Sequence, residues 1–364
     1  MSITTLVDKK LVFVAMSGGV DSSVAAALIK KAGFETIGVF MKNWSRSDFS
    51  PKCSSEEDAE DARRVAEVLK IPFYVFNFEN DYKEKIIDPM IEGYKNGLTP
   101  NPDIVCNKEI KFGLFLKKAL SLGALACRQA GIYIATGHYA RKISAEGQEK
   151  ILKAKDENKD QSYFLYQLNQ EQLSRALFPI GDYLKSEVRE LAKKFKLPTA
   201  GKKDSQGLCF VGKIKMSDFL GTKILQKEGE IISTSGQMIG RHRGAAFYTL
   251  GQRTGLGIGG SGPYFVVSRD TKENRLVVAR ENDPSLFAKS IFLDKIHWMS
   301  GQEPILPLKY SARIRYRQPL QDAIINKTEK RFIVQFNEPQ WAPAPGQHCV
   351  FYSGDEMLGG GQIV

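Results

Sequence analysis

Short apolar runs recur through the first part of the chain, at Leu11-Val12-Phe13-Val14 and at residues 36–41, 73–78 and 132–137. They are rich in β-branched and aromatic residues and bounded by turn formers, which predicts buried strands. Helical patterns separate them. Residues 24–33 end in a basic turn and Gly33, a helix stop. Residues 58–69 follow Ser54-Ser55-Glu56-Glu57, a capping-box pattern, and Pro72 closes them. Residues 108–119 predict a further helix, led in by a proline-restricted loop at 99–107. Strands alternating with helices imply an α/β fold, a doubly wound parallel sheet covered on both faces. Ligands of such sheets bind beyond the carboxyl ends of the strands, where the turn after residue 14, Met41 and Gly137 fall.

The texture changes near Cys209. Glycines crowd residues 236–262, and β-like segments follow at 264–267 and 276–279. Asn282-Asp283-Pro284 is a plausible boundary, and beyond it short strands at 310–316, 323–325, 332–336 and 350–352 suggest a small barrel or sandwich. The expected organisation is a catalytic domain at 1–208, a small central mixed domain at 209–284 and a C-terminal β-barrel at 285–364.

The length of 364 residues agrees with two or three domains. A hydrophobic fraction of 42% and a charged fraction of 26% are those of a globular protein. No apolar run is long enough to span a bilayer and no secretory leader is recognisable, so a cytoplasmic protein without a membrane partner is expected. The net charge of +11 fits a polyanionic partner such as RNA, although a basic balance alone does not establish one. Five cysteines without a C-x-x-C pair argue against a disulfide framework or zinc knuckle.

Ala15-Met16-Ser17-Gly18-Gly19-Val20-Asp21-Ser22-Ser23 joins the first strand to the first helix. That junction offers backbone N–H groups and a helix's positive end to phosphate, and the serines add hydroxyl donors. No Gly-Lys-Ser/Thr follows, and the turn lacks G-x-G-x-x-G, so it is neither a P-loop nor a dinucleotide fingerprint. The string resembles the pyrophosphate-binding loop of the ATP pyrophosphatases, which adenylate a carbonyl oxygen. It predicts an ATP site. Cys106 lies near a helix start beside Lys108 and Lys111, where positive potential favours thiolate. Cys209, in Lys202-Lys203-Asp204-Ser205-Gln206-Gly207-Leu208-Cys209-Phe210, has a similar basic setting. Cys53, Cys127 and Cys349 do not, and Cys127 reads as packing.

Taken with F-M-K-N-W (40–44), T-P-N-P-D-I-V-C-N (99–107), A-T-G-H-Y-A-R (135–141), K-D-Q-S-Y-F-L (159–165) and K-K-D-S-Q-G-L-C-F (202–210), the chain resembles the bacterial tRNA-specific 2-thiouridylases. Later matches are Y-T-L-G-Q-R (248–253), G-L-G-I-G-G (255–260), R-Y-R-Q (315–318), P-G-Q (345–347) and L-G-G-G (358–361). One departure is residues 123–132, several positions longer than usual.

The resemblance implies ATP-dependent 2-thiolation of the wobble uridine, position 34, of tRNA. The uridine C2 oxygen attacks the α-phosphate of ATP, pyrophosphate leaves, and sulfur then displaces AMP. Cys209 would carry a persulfide delivered by a sulfur-relay carrier or a cysteine desulfurase, with Cys106 as the partner nucleophile. Either the persulfide attacks C2 and Cys106 closes a disulfide, or Cys106 releases sulfide that attacks. ATP would be held by Ala15, Met16, Ser17, Gly18, Gly19, Val20, Asp21, Ser22, Met41 and Gly137, with Mg as counter-ion and Asp21 as its candidate ligand. Asn101, Pro102 and Asp103 would face the flipped base, with Lys159, Asp160 and Gln161 nearby and His138 at the rim. Arg315, Tyr316 and Gln347 would hold the anticodon stem-loop. Residues 236–262 would act as a lid that orders on RNA docking. Two placed thiols fall short of the ligand set of an iron–sulfur cluster, so none is expected, and a monomer is expected. Two other readings differ in what they require. An amidotransferase or ligase of the ATP pyrophosphatase group acting on a small metabolite would not need the paired cysteines or the basic C-terminal domain. A non-catalytic RNA-binding protein would bind tRNA indifferently to ATP.

Overall fold

The first sheet is built from five parallel strands in the order β3-β2-β1-β4-β7. They are β1 Leu11–Ala15, β2 Glu35–Lys42, β3 Phe73–Asn77, β4 Ile132–Ala135 and β7 Ala176–Leu177. β1 is buried along its whole length because it has a core on each side. Leu11, Phe13 and Ala15 enter one core, and Val12 and Val14 enter the other. This is why its five positions read as an unbroken apolar run. The computed structural model describes residues 10–44, 54–125, 131–203, 216–259 and 262–364.

The helices are α1 Val20–Lys31, α2 Ser54–Val68, α3 Glu79–Tyr82, α4 Asp88–Lys95, α5 Pro102–Cys106, α6 Phe115–Leu125, α7 Gln170–Ser174 and α8 Lys185–Lys194. α1 begins at Val20, four residues before the sequence pattern suggests, because Val20, Ser22 and Ser23 are buried and belong to the helix. The helix expected at 108–119 likewise starts earlier. Asn101 caps α5, its side chain accepting from the Ile104 N–H at 3.4 Å, and Pro102 takes the first helical position. A π-helical stretch, Asn107–Leu114, then leads into α6. Cys106 therefore stands within a helix and not in the loop before one.

The central unit comprises α9 Met216–Gly221 and a sheet ordered β10-β11-β8-β9, with β8 Gly229–Ser233, β9 Met238–His242, β10 Phe265–Asp270 and β11 Arg275–Ala279. β9 and a 3-10 turn at Ala245–Phe247 occupy part of the glycine-dense stretch, with Phe247, Tyr248 and Leu256 buried.

The last strands are β12 Phe287–Trp298, β13 Leu308–Arg313, β14 Gln321–Lys327, β15 Phe332–Trp341, β16 His348–Ser353 and β17 Glu356–Ile363. They run β12-β15-β14-β13-β16-β17, and β12 pairs with β17 to close a six-stranded barrel. A hairpin from the first region, β5 Arg141–Ala145 and β6 Gln148–Leu152, extends this sheet through β6–β17 pairing. Among the described residues, no helix is long and apolar enough to cross a membrane.

Candidate active site

The turn after β1 lies at the point where strand order reverses, with β2 on one side of β1 and β4 on the other. Gly18 adopts φ +73°, and a Cβ there would come within 2.2 Å of the Asp58 carbonyl oxygen. Only glycine fits that crossing of turn and α2. Ser22 folds inward, its hydroxyl accepting from the Ser17 N–H at 3.1 Å and donating to the Gly19 carbonyl at 3.1 Å. Ser23 donates to the same carbonyl at 2.7 Å. The first turn of any helix leaves backbone N–H groups without intrahelical partners, so α1 presents donors at this edge. Met16 continues β1, its N–H donating to Val39 at 2.8 Å, and Met41 sits half-buried near the end of β2.

Gly137 brings the end of β4 against this turn. A Cβ at that position would lie 2.7 Å from the Ser22 nitrogen. The next residue, His138, joins the nucleotide turn to the cysteine helix. Its ring centroid is 5.9 Å from that of Phe112 in the π-helical stretch, and its Nδ1 bonds the Thr136 hydroxyl at 2.8 Å. Burial, and then the charge of Lys111, hold its imidazole well below the usual pKa. His138 is thus a buried neutral ring.

Lys111 also faces Asp103. Burial pushes the Asp103 carboxyl up, and Lys111 opposes that shift. Cys106, one turn along, is 1% exposed. Beside it, the Asn107 side chain donates to the Asp103 carbonyl at 3.0 Å, while its own Oδ1 is buried without a hydrogen-bond partner. The segment after β4 therefore packs against both the turn that follows β1 and the helical stretch that follows Cys106.

Family models match the chain in three consecutive parts: a tRNA methyl transferase HUP domain over residues 10–213, a tRNA methyl transferase PRC-barrel domain over 217–280, and an aminomethyltransferase beta-barrel domain over 288–363. The tRNA-specific 2-thiouridylase MnmA of Geobacillus thermodenitrificans is 48% identical over 97% of this chain and 94% of its own length. The chain belongs to the tRNA-specific 2-thiouridylase family. Proteins of the same name from Alkaliphilus oremlandii and Pseudomonas aeruginosa are 46% and 44% identical, each over 98% of this chain and over 97% and 94% of their own.

Against that family pattern, Asp21 is engaged in this structure. Lys185 Nζ lies 2.7 Å and 2.8 Å from its two carboxylate oxygens, and Tyr139 donates a further hydrogen bond at 2.8 Å. Lys185 opens α8, and nothing local in the sequence marks it, because 164 positions separate the two partners. Lys202 Nζ lies 2.6 Å from both Asp58 and Asp61 of α2, behind Gly18. Cys209, Cys53 and Cys127 lie outside the described residues.

Of the other site residues, Asp160, Tyr316 and Gln347 make contacts between the first domain and the barrel. Asp160, 3% exposed, accepts from the backbone of Ala154 and Ser162 at 3.1 Å and 3.2 Å and pairs with the Arg313 guanidinium. Gln161 accepts from the Tyr139 N–H at 3.0 Å, and Lys159 is half-buried beside it. Arg315 donates to the Ala342 carbonyl, and the Tyr316 ring packs 4.6 Å from that of Phe164. Gln347 donates to the Thr99 carbonyl at 2.8 Å.

Proposed function

We propose that the chain 2-thiolates the wobble uridine of tRNA at the expense of ATP. One observation carries the reading: Gly137 packs against Ser22 of the turn, and the adjacent His138 packs against Phe112 in the helical stretch that follows Cys106. A nucleotide held on the turn and a base held before α5 would then be linked through the Gly137–His138 segment. Family membership over nearly the full chain supports the same activity.

The steps follow from the chemistry of a poor leaving group. Uridine O2 attacks the α-phosphorus of ATP, the bond to the bridging oxygen breaks, and pyrophosphate departs. The donors of α1 and of the turn stabilise that charge as it develops. Sulfur then adds to C2, and AMP leaves with the former O2. The sulfur is the terminal atom of a persulfide on Cys209, delivered by a carrier protein or cysteine desulfurase. In either route the Cys106 thiolate attacks the inner sulfur of Cys209 and forms the Cys106–Cys209 disulfide, expelling the thiouridine sulfur after persulfide attack on C2 or expelling sulfide that then attacks C2.

Magnesium suits a triphosphate here, held chiefly by phosphate oxygens and water. Asp21 would be its candidate carboxylate ligand, and Lys185, which pairs with Asp21 in this structure, would then be available to a phosphate.

Full-length protein, ATP-Mg and an unmodified tRNA with U at the wobble position test the reading. Pyrophosphate release should depend on tRNA, and 2-thiouridine should form when a persulfide donor is added. Cys106→Ser should abolish 2-thiouridine, because a buried serine hydroxyl supplies neither thiolate nor disulfide. Pyrophosphate release indifferent to tRNA, or no 2-thiouridine from the unaltered protein, overturns the proposal, and thiolation surviving Cys106→Ser overturns the role of Cys106.

A further inference from the structure

The loop that precedes Asn101, Asp103 and Cys106 is fixed from outside its own domain, at Thr99. This residue is 7% exposed, and each of its polar atoms is bound by another domain. Its N–H donates to the Pro345 carbonyl at 2.7 Å, and its carbonyl accepts from Gln347 at 2.8 Å, both in the barrel unit. Its hydroxyl accepts from Arg269 Nη2 at 2.9 Å and lies 3.5 Å from the Thr249 hydroxyl, both in the central unit. Arg269, on β10, also donates from Nε to the Gly97 carbonyl at 3.2 Å and from Nη1 to the Tyr248 carbonyl. One guanidinium thus ties three backbone or side-chain acceptors in two domains, which a point-charge ammonium cannot reproduce.

We propose that Arg269 and Thr99 are positioning residues that set the register of the base-facing segment 101–106 from the central domain. The proposal rests on the thiouridylase reading above, since it assigns these residues to that reaction. The transmission is mechanical. Pro100 and Pro102 flank Asn101 and leave the chain between Thr99 and α5 few ways to absorb a shift. A displacement at Thr99 therefore reaches the Asn101 cap and the helix carrying Cys106. Burial lowers the Arg269 pKa to about 10, so the guanidinium stays charged at neutral pH. A residue that merely glued domains together would affect stability, whereas one that sets this register affects turnover with nucleotide affinity intact.

The test uses the full chain with ATP-Mg, persulfide donor and wobble-U tRNA, reading 2-thiouridine formation, the KM for ATP and thermal melting. Thr99→Val keeps the shape and the backbone bonds but removes the hydroxyl, and Thr99→Ser restores it. Thr99→Val should lower kcat by about tenfold or more with the KM for ATP and the melting temperature close to wild type. Thr99→Ser should recover most of the rate. Arg269→Gln should lose more than Thr99→Val, since it also releases Gly97 and Tyr248. If Arg269→Gln does not fold, the threonine pair decides alone. Wild-type turnover by Thr99→Val, or equal losses in the valine and serine variants, overturns the proposal. Absence of tRNA-dependent turnover in the unaltered protein instead overturns the thiouridylase reading itself.

Discussion

His348 is buried between two tyrosines from the first domain. Tyr163 donates to its carbonyl at 2.9 Å, and its Nδ1 meets the Tyr166 hydroxyl at 2.7 Å. Burial lowers its imidazole pKa to about 4, from an ordinary value near 6.5. The unfolded chain therefore binds a proton between those pH values that the folded chain refuses, and folding stability falls as pH drops from 6.5 toward 4. His348→Asn offers a neutral hydrogen-bonding group in place of Nδ1. It should melt below wild type at about pH 7, with the gap narrowing steadily toward about pH 4, as followed by thermal denaturation over that range. A gap independent of pH would mean that the ring does not titrate with folding. None of this was legible in the sequence, where His348 is a lone histidine between Gln347 and Cys349. Asp21 shows the converse. Its motif placed it at the turn, but its partner Lys185 comes from a helix whose proximity only the closed sheet creates.

α1, α2 and β1 to β4 are the most legible elements of the nucleotide domain, because a strand with a core on each side, as β1 has, demands a continuous apolar run. The loop–helix boundary at 99–108 was misread because Pro102 was taken as a loop restraint. At the first helical position proline costs nothing, and Asn101 caps ahead of it. β12 escaped notice because charged residues interrupt it, as one solvated face allows, and β17 because Gly359, Gly360 and Gly361 imitate a turn. The contact between β4 and α1 yields the prediction that belongs to this scale. Gly137→Ala places a methyl group 2.7 Å from the Ser22 nitrogen and 2.8 Å from the Asp21 carbonyl carbon. Neither atom can retreat without moving the turn. The variant should lose about 1–3 kcal/mol of stability by overpacking and show a raised KM for ATP. Denaturant unfolding and pyrophosphate-release kinetics check both parts, and an unchanged KM would separate Gly137 from the nucleotide site.

Across the whole molecule, the first domain and the barrel are welded and not merely tethered. β5 and β6 prolong the barrel's own sheet, and Arg141 and Lys153 both reach Asp355 at 2.8 Å and 3.1 Å. At the centre of the seam, Arg313 is 5% exposed and meets Asp160, Ser162 and the Tyr352 hydroxyl. No local pattern in the sequence marks Arg313 as a charge buried by a neighbouring domain. An ion pair this deep is worth little over an apolar replacement, but breaking one side strands a charge. Asp160→Asn leaves Arg313 uncompensated, and Arg313→Met leaves Asp160 so; each single change should cost about 3–5 kcal/mol. The double variant should cost clearly less than the sum. Its new amide side chain can still accept from the Ala154 and Ser162 N–H groups, while its new thioether side chain needs no counter-charge. Urea unfolding of the four proteins measures the coupling. Additive costs would mean that the two charges are solvated independently and that Asp160 and Arg313 do not hold the seam as a pair.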